Sequence, residues 1–172
     1  MKKGASLLIA AIAVIGIFAS PGMGAQLLAR FDGGIGVIPV SSGVGQGLQA
    51  DNVTRNIVRG VQPPGQIWVI RDLKAVVQAD GQIRVDGRGL LLGGGNNIGG
   101  NAGASVFATL ICETSPQFVE HSTTLDVPLE ANGDFRIDDV LVPAPPLECA
   151  SPVLLIRNAA NSAWFAAGIR GD

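Results

Sequence analysis

QIWVIRDLKAVVQADGQIRVDGRGLLL, residues 66–92, decides the fold class of this chain. Ile67, Val69, Leu73, Ala75 and Val77 share one parity, while Asp72, Lys74 and Gln78 take the other. Apolar residues at alternate positions put one face of a strand into a core and leave the other in water. Ala79-Asp80-Gly81-Gln82 follows, and in an Asp-Gly turn the glycine takes positive φ without steric cost. Ile83, Val85 and the run Leu90, Leu91, Leu92 then return. The segment predicts a long antiparallel hairpin. Trp68 has the parity opposite to Ile67 and Val69, so it faces either solvent or a second sheet.

The same pattern extends outward. In residues 123–142, Leu125, Val127 and Leu129 alternate, Asn132-Gly133-Asp134 turns, and Phe135, Ile137, Val140 and Leu141 return. Asn-Gly between two such runs is a strong hairpin signal. Pro143-Ala144-Pro145-Pro146 cannot enter a central strand and reads as a stiff connection. Residues 152–157 and 163–169 form a closing hairpin, and residues 105–112 (SVFATLIC) are apolar on both faces and therefore central. With residues 30–40 and 53–61, the chain has about eight strands and no helix beyond residue 25. Hairpin connections imply antiparallel pairing. The expected fold is all-β: a single antiparallel β-sandwich over residues 26–172, with a barrel as the second architecture. Residues 41–47 (SSGVGQG) and 93–103 (GGGNNIGGNAG) read as loops, the second long and mobile.

Lys2 and Lys3 precede an apolar stretch, residues 7–18 (LLIAAIAVIGIF), which Ala19-Ser20-Pro21-Gly22 interrupts before small residues lead to Ala25. That layout is a secretory signal peptide, too short and too broken for a good membrane-spanning helix. Cleavage is expected after Ala25, with Ala19 the second choice and an uncleaved anchor the alternative reading. The mature domain is then periplasmic or extracellular, and its membrane contact is through the signal peptide alone. Cys112 and Cys149 both lie in the exported part, where an isolated pair most simply forms one disulfide. Chain-entropy arguments make that bond worth on the order of 3–4 kcal/mol at most. The whole chain carries a formal charge of −2, and losing Lys2 and Lys3 makes the remainder more acidic. Scattered arginines on an acidic chain do not suit nucleic acid.

The candidate chemistry is sparse. The glycines of residues 93–103 invite a phosphate cradle, yet no Lys-Ser or Lys-Thr follows, and Ile98 stands where a dinucleotide fingerprint needs glycine. No cofactor is expected. What the loop offers is amide contacts from Asn96, Asn97 and Asn101, which make it the candidate binding loop. His121 is the single histidine, in Glu120-His121-Ser122, and no Gly-x-Ser-x-Gly elbow accompanies it. Asp138 and Asp139 are neighbours on a strand and point to opposite faces, which is wrong for a shared acid/base site. Asp32, Asp80, Asp86 and Asp134 adjoin glycines and read as turn-stabilising side chains. No calcium-loop or zinc spacing occurs, so no metal is expected. With no Tyr and two Trp, an aromatic sugar platform is hard to build. Arg170-Gly171-Asp172 resembles an integrin-recognition tripeptide, but it lacks a constraining loop.

Several short stretches carry a resemblance. Arg30-Phe31-Asp32-Gly33-Gly34-Ile35-Gly36-Val37, Gly89-Leu90-Leu91-Leu92 and Gly95-Asn96-Asn97-Ile98-Gly99 are three of them. Gly133-Asp134-Phe135-Arg136-Ile137 and Trp164-Phe165-Ala166-Ala167 are the others. Together the chain resembles a group of small exported bacterial proteins of unassigned function. The resemblance implies export and a bacterial source and nothing on mechanism.

The sequence thus leads to an exported, non-enzymatic binding or surface-interaction module with no catalytic residue, whose partner would be a protein or a surface. Two readings stand beside it: a small hydrolase using His121 with Glu120, and a structural subunit of an envelope or extracellular assembly. The binding reading requires the loops at residues 41–47 and 93–103 to share one end of the domain. The assembly reading rests on an exposed strand edge in residues 66–92.

Overall fold

The computed structural model describes residues 25–42 and 53–172. The signal peptide and most of the loop at residues 41–47 therefore lie outside the described residues. No described residue is helical, and the all-β class holds. The strands are β1 (Leu27–Gly36), β2 (Val40–Ser42), β3 (Val53–Arg55), β4 (Trp68–Val69), β5 (Asp72–Gln78), β6 (Gln82–Arg88) and β7 (Leu91–Leu92). They continue as β8 (Ser105–Thr114), β9 (Gln117–Thr123), β10 (Val127–Pro128), β11 (Phe135–Val142), β12 (Ala150–Asn158) and β13 (Trp164–Arg170).

The sandwich expectation does not hold; the second architecture does. The ladders run β8-β12-β13-β1-β5-β6-β11-β9, and β9 pairs back onto β8. The main sheet closes on itself as an eight-stranded antiparallel barrel. An eight-stranded barrel is just wide enough to be filled by side chains. Here the fill comes from alternate residues: Leu73, Ala75 and Val77 on β5, Ile83 and Val85 on β6, Phe31 on β1, and Leu110 and Leu154 from the opposite wall. Strand β6 carries Gly87 where the ring of Phe135, its partner on β11, lies over the backbone; a Cβ there would overlap that ring.

The hairpin of β5 and β6 forms as the alternation requires, with Leu73 opposite Gly87 and Val77 opposite Ile83. Its outer end departs from the sequence reading. Ile67 and Val69 are exposed and Trp68 is buried, because the chain bends at Arg71 and leaves the main sheet. The bend reverses the parity, and β4 pairs with β7 in a separate small ribbon. The segment 123–142 also differs. Its turn is at the expected place, with Gly133 N–H donating to the Glu130 carbonyl. The arm before it, however, pairs as β10 with β8, while β11 pairs with β6 and β9.

The barrel has two kinds of outer wall. On β1, β5, β6 and β11 the outward residues alternate in charge across the strands: Asp32, Lys74, Asp86 and Arg136 lie opposite one another in turn. Opposite charges on facing strands stabilise the pairing and keep this wall wet. On β8 and β12 the outward Thr109, Ile111 and Leu155 are fully buried. A tight turn at Arg59 and Gly60, closed by a bridge between Val58 and Val61, lies over them. Arg59 donates to the Ile111 carbonyl at 2.9 Å and sets its guanidinium over the Phe118 ring. This cover explains why residues 105–112 are apolar on both faces.

Candidate functional site

The barrel end where β8 starts is closed by the β4–β7 ribbon. Trp68 N–H donates to Val37, and Val37 N–H donates to Phe165, at 3.1 and 3.0 Å. These two bonds bring the Trp68 and Phe165 rings into a parallel stack with centroids 3.9 Å apart. Gly36 makes the approach possible, since a Cβ there would overlap the Trp68 carbonyl. The stacked pair, only 4% and 3% exposed, lies at the base of an open cleft of about 520 Å³. Residues 102–105 form one wall, residues 158–160 the other, and Asp126 stands on the rim.

Both walls are braced. Asn158 accepts the Ala160 N–H on its side-chain oxygen and donates to the Asn161 side chain, while Ala159 N–H reaches across to the Ser105 carbonyl. Opposite, Asn101 donates to the carbonyls of Leu129 and Glu130 and accepts the Gly103 N–H. Of the candidate binding residues, Asn101 therefore holds a wall of the cleft and spends its amide doing so. Asn96 and Asn97 are exposed on the turn beyond it and do not line the cleft. The glycine-rich loop makes backbone hydrogen bonds of its own: Gly99 N–H donates to Leu92, and Gly100 N–H to Asn97. Whether it shares an end with residues 41–47 falls outside the described residues.

Other surface grooves lie on the charged wall, between Arg30, Lys74, Arg84 and Asp86. Their sides are exposed side chains already facing opposite charges, such as Arg84 with Asp138 at 2.9 Å.

Cys112 and Cys149 form the expected disulfide, with Cα atoms 5.0 Å apart. It ties β8 to the approach of β12, toward the barrel end away from the cleft. His121 points into the barrel and is 3% exposed. Its Nδ1–H donates to the Pro143 carbonyl at 2.8 Å, and Nε2 has no partner among the described residues. Glu120, the next residue on the same strand, points outward and pairs with Arg157. The strand period thus separates the two groups the hydrolase reading requires. Ser122 shares the outer face with Glu120 and bonds the Thr109 hydroxyl at 2.9 Å.

Asp138 and Asp139 do diverge. Asp139 accepts the N–H groups of Thr124, Leu125 and Val140. Burial pushes its carboxyl up, but these three N–H donors and the Thr124 hydroxyl outweigh that and hold it below the ordinary carboxylate value. Asp80 and Asp134 take turn roles, accepting Gln82 and Gly89 N–H. Asp32 and Asp86 instead belong to the charged wall. The Arg170-Gly171-Asp172 tripeptide runs on from β13, with Gly171 N–H donating to Arg30.

No protein-family model, no curated protein and no solved structure matches the chain.

Proposed function

We propose that this is an exported, non-enzymatic binding module whose ligand site is the cleft at the β4–β7 end of the barrel. Residues 1–25 act as the signal peptide, and residues 26–172 are the working domain. The Cys112–Cys149 disulfide is compatible with an oxidising compartment. The observation that carries the reading is a cleft whose two walls are held by their own hydrogen bonds above the buried Trp68–Phe165 stack. A pocket that is already rigid loses little conformational entropy when it takes a ligand. The hydrolase reading is the weaker one, since His121 and Glu120 occupy opposite faces of β9. The assembly reading has less support in residues 66–92, because β5 and β6 both have neighbours on each side. In that segment only the two-residue strands β4 and β7 have a single strand partner.

The test is a fragment screen followed by amide chemical shifts of the mature domain. Ligands should move the amides of Ser105, Asp126, Asn158 and Ala160 together. Shifts confined to the charged wall or to the disulfide end would overturn the reading.

A further inference from the structure

We propose that the strap from Pro143 to Cys149, at the barrel end away from the cleft, is a binding loop for a serine proteinase with an apolar specificity pocket. Leu147 is the side chain that enters the pocket. It is 77% exposed, more than any other large apolar residue among the described residues. A single exposed leucine is ordinary; the way this one is held carries the argument. Pro143, Pro145 and Pro146 each fix φ, and Ala144 and Pro145, which precede prolines, are kept extended. Pro145 is buried with its ring against Gly81, and the Pro143 carbonyl accepts from the buried His121. Just beyond Leu147, Cys149 is bonded to Cys112 on β8. The barrel thus anchors the strap on both sides of one outward apolar side chain.

The backbone between the anchors is open. Among the described residues, no backbone hydrogen bond involves Ala144, Pro145, Pro146, Leu147 or Glu148. An exposed main chain with unpaired groups can pair with the rim of a substrate cleft while one side chain fills the specificity pocket. Leucine suits an apolar slot, and the strap has no Lys or Arg for an acidic one. Because the prolines and the disulfide have already ordered the loop, binding it costs little conformational entropy. The same anchors oppose turnover. Hydrolysis between Leu147 and Glu148 adds one water and leaves a carboxylate and an ammonium. Pro145 packing holds the first end and the Cys149 bridge holds the second. The two stay together, and the amide re-forms with loss of that water.

The test titrates the mature domain, with its disulfide formed, into chymotrypsin and into subtilisin while hydrolysis of a chromogenic peptide is followed. Inhibition of at least one of the two is expected. Leu147→Ala should weaken it about thirtyfold, as loss of a central anchor does. Leu147→Arg should transfer it to trypsin, whose pocket is acidic. Both variants should melt as the native domain does, since Leu147 lies in solvent. The proposal falls if the native domain inhibits neither enzyme at about 0.1 mM, where even a weak complex forms. It falls equally if Leu147→Ala inhibits as well as the native domain, or if Leu147→Arg leaves trypsin unaffected. Cleavage of the native strap as fast as a linear peptide of residues 143–149 would show an ordinary exposed loop and overturn it too.

Discussion

Asp139 on β11 accepts the Thr124 N–H at 2.7 Å and the Thr124 hydroxyl at 3.0 Å, at the point where the strand ladder stops. The pairing of β11 with β9 consists of Leu141 with Thr123 and Val142 with Ser122. Above those two pairs the backbones diverge, and the carboxylate takes the N–H groups that a longer ladder would have used. One side chain therefore completes the thinnest junction of the barrel.

Asp139→Ala should cost about 1–2 kcal/mol at pH 7, near the lower end for charged acceptors because the group is partly solvated. The folded carboxyl sits below its ordinary value of 3.8, so its contribution is fully present above that pH. It is lost as pH falls through the folded value. Urea unfolding at pH 7 and at pH 3 checks this. The gap between native and variant stability should narrow at the lower pH, and a gap that widens would contradict the assignment.

Gly87 and Phe135 form the second testable pair. Gly87→Ala forces a methyl into the Phe135 ring and should destabilise by about 1–3 kcal/mol. Adding Phe135→Leu should recover part of that loss, although Phe135→Leu alone destabilises. A double-mutant cycle in chemical denaturation measures the coupling, and strict additivity would mean that the ring does not cover the glycine.

Replacing both Cys112 and Cys149 with alanine should lower stability by about 3–4 kcal/mol and leave the barrel folded. The apolar core is built from seven of the eight barrel strands, and the bond ties β8 only to the residue before β12. Circular dichroism melts of native, reduced and doubly substituted protein compare directly. Full unfolding of the reduced form at room temperature would show that the core alone is insufficient.

His121→Ala should cost about 2–4 kcal/mol through the space it opens in the barrel. His121→Asn should cost less, since its amide can still donate to the Pro143 carbonyl. Melting temperatures rank the two. A stable alanine variant would remove the structural role assigned to this residue.

The local elements of this protein were readable because their causes are local. Alternation over Leu73, Ala75 and Val77, with Asp80 and Gly81 between the arms, specifies the β5–β6 hairpin almost to the residue. Asn132 and Gly133 likewise mark their turn. Trp68 was ambiguous because parity carries along a strand only while the strand is continuous, and the bend at Arg71 breaks it. Asn101 was legible as a polar loop residue. That its amide faces inward, onto Leu129 and Glu130, depends on a segment far along the chain.

By itself the sequence determined the all-β class and the turns at Asp80-Gly81 and Asn132-Gly133, since period-two patterning and turn chemistry act within a few residues. An isolated pair of cysteines left one pairing. Strand β9, whose outer face is largely polar, was not legible as a strand. Only the tertiary structure decided between two packed sheets and one closed ring. Inward and outward residues alternate identically in both, and the difference lies in junctions such as Leu141 with Thr123, which join separate strands. The end cleft belongs to the same class. It exists because Val37 bridges Phe165 and Trp68, three residues that are neighbours only once the barrel has closed.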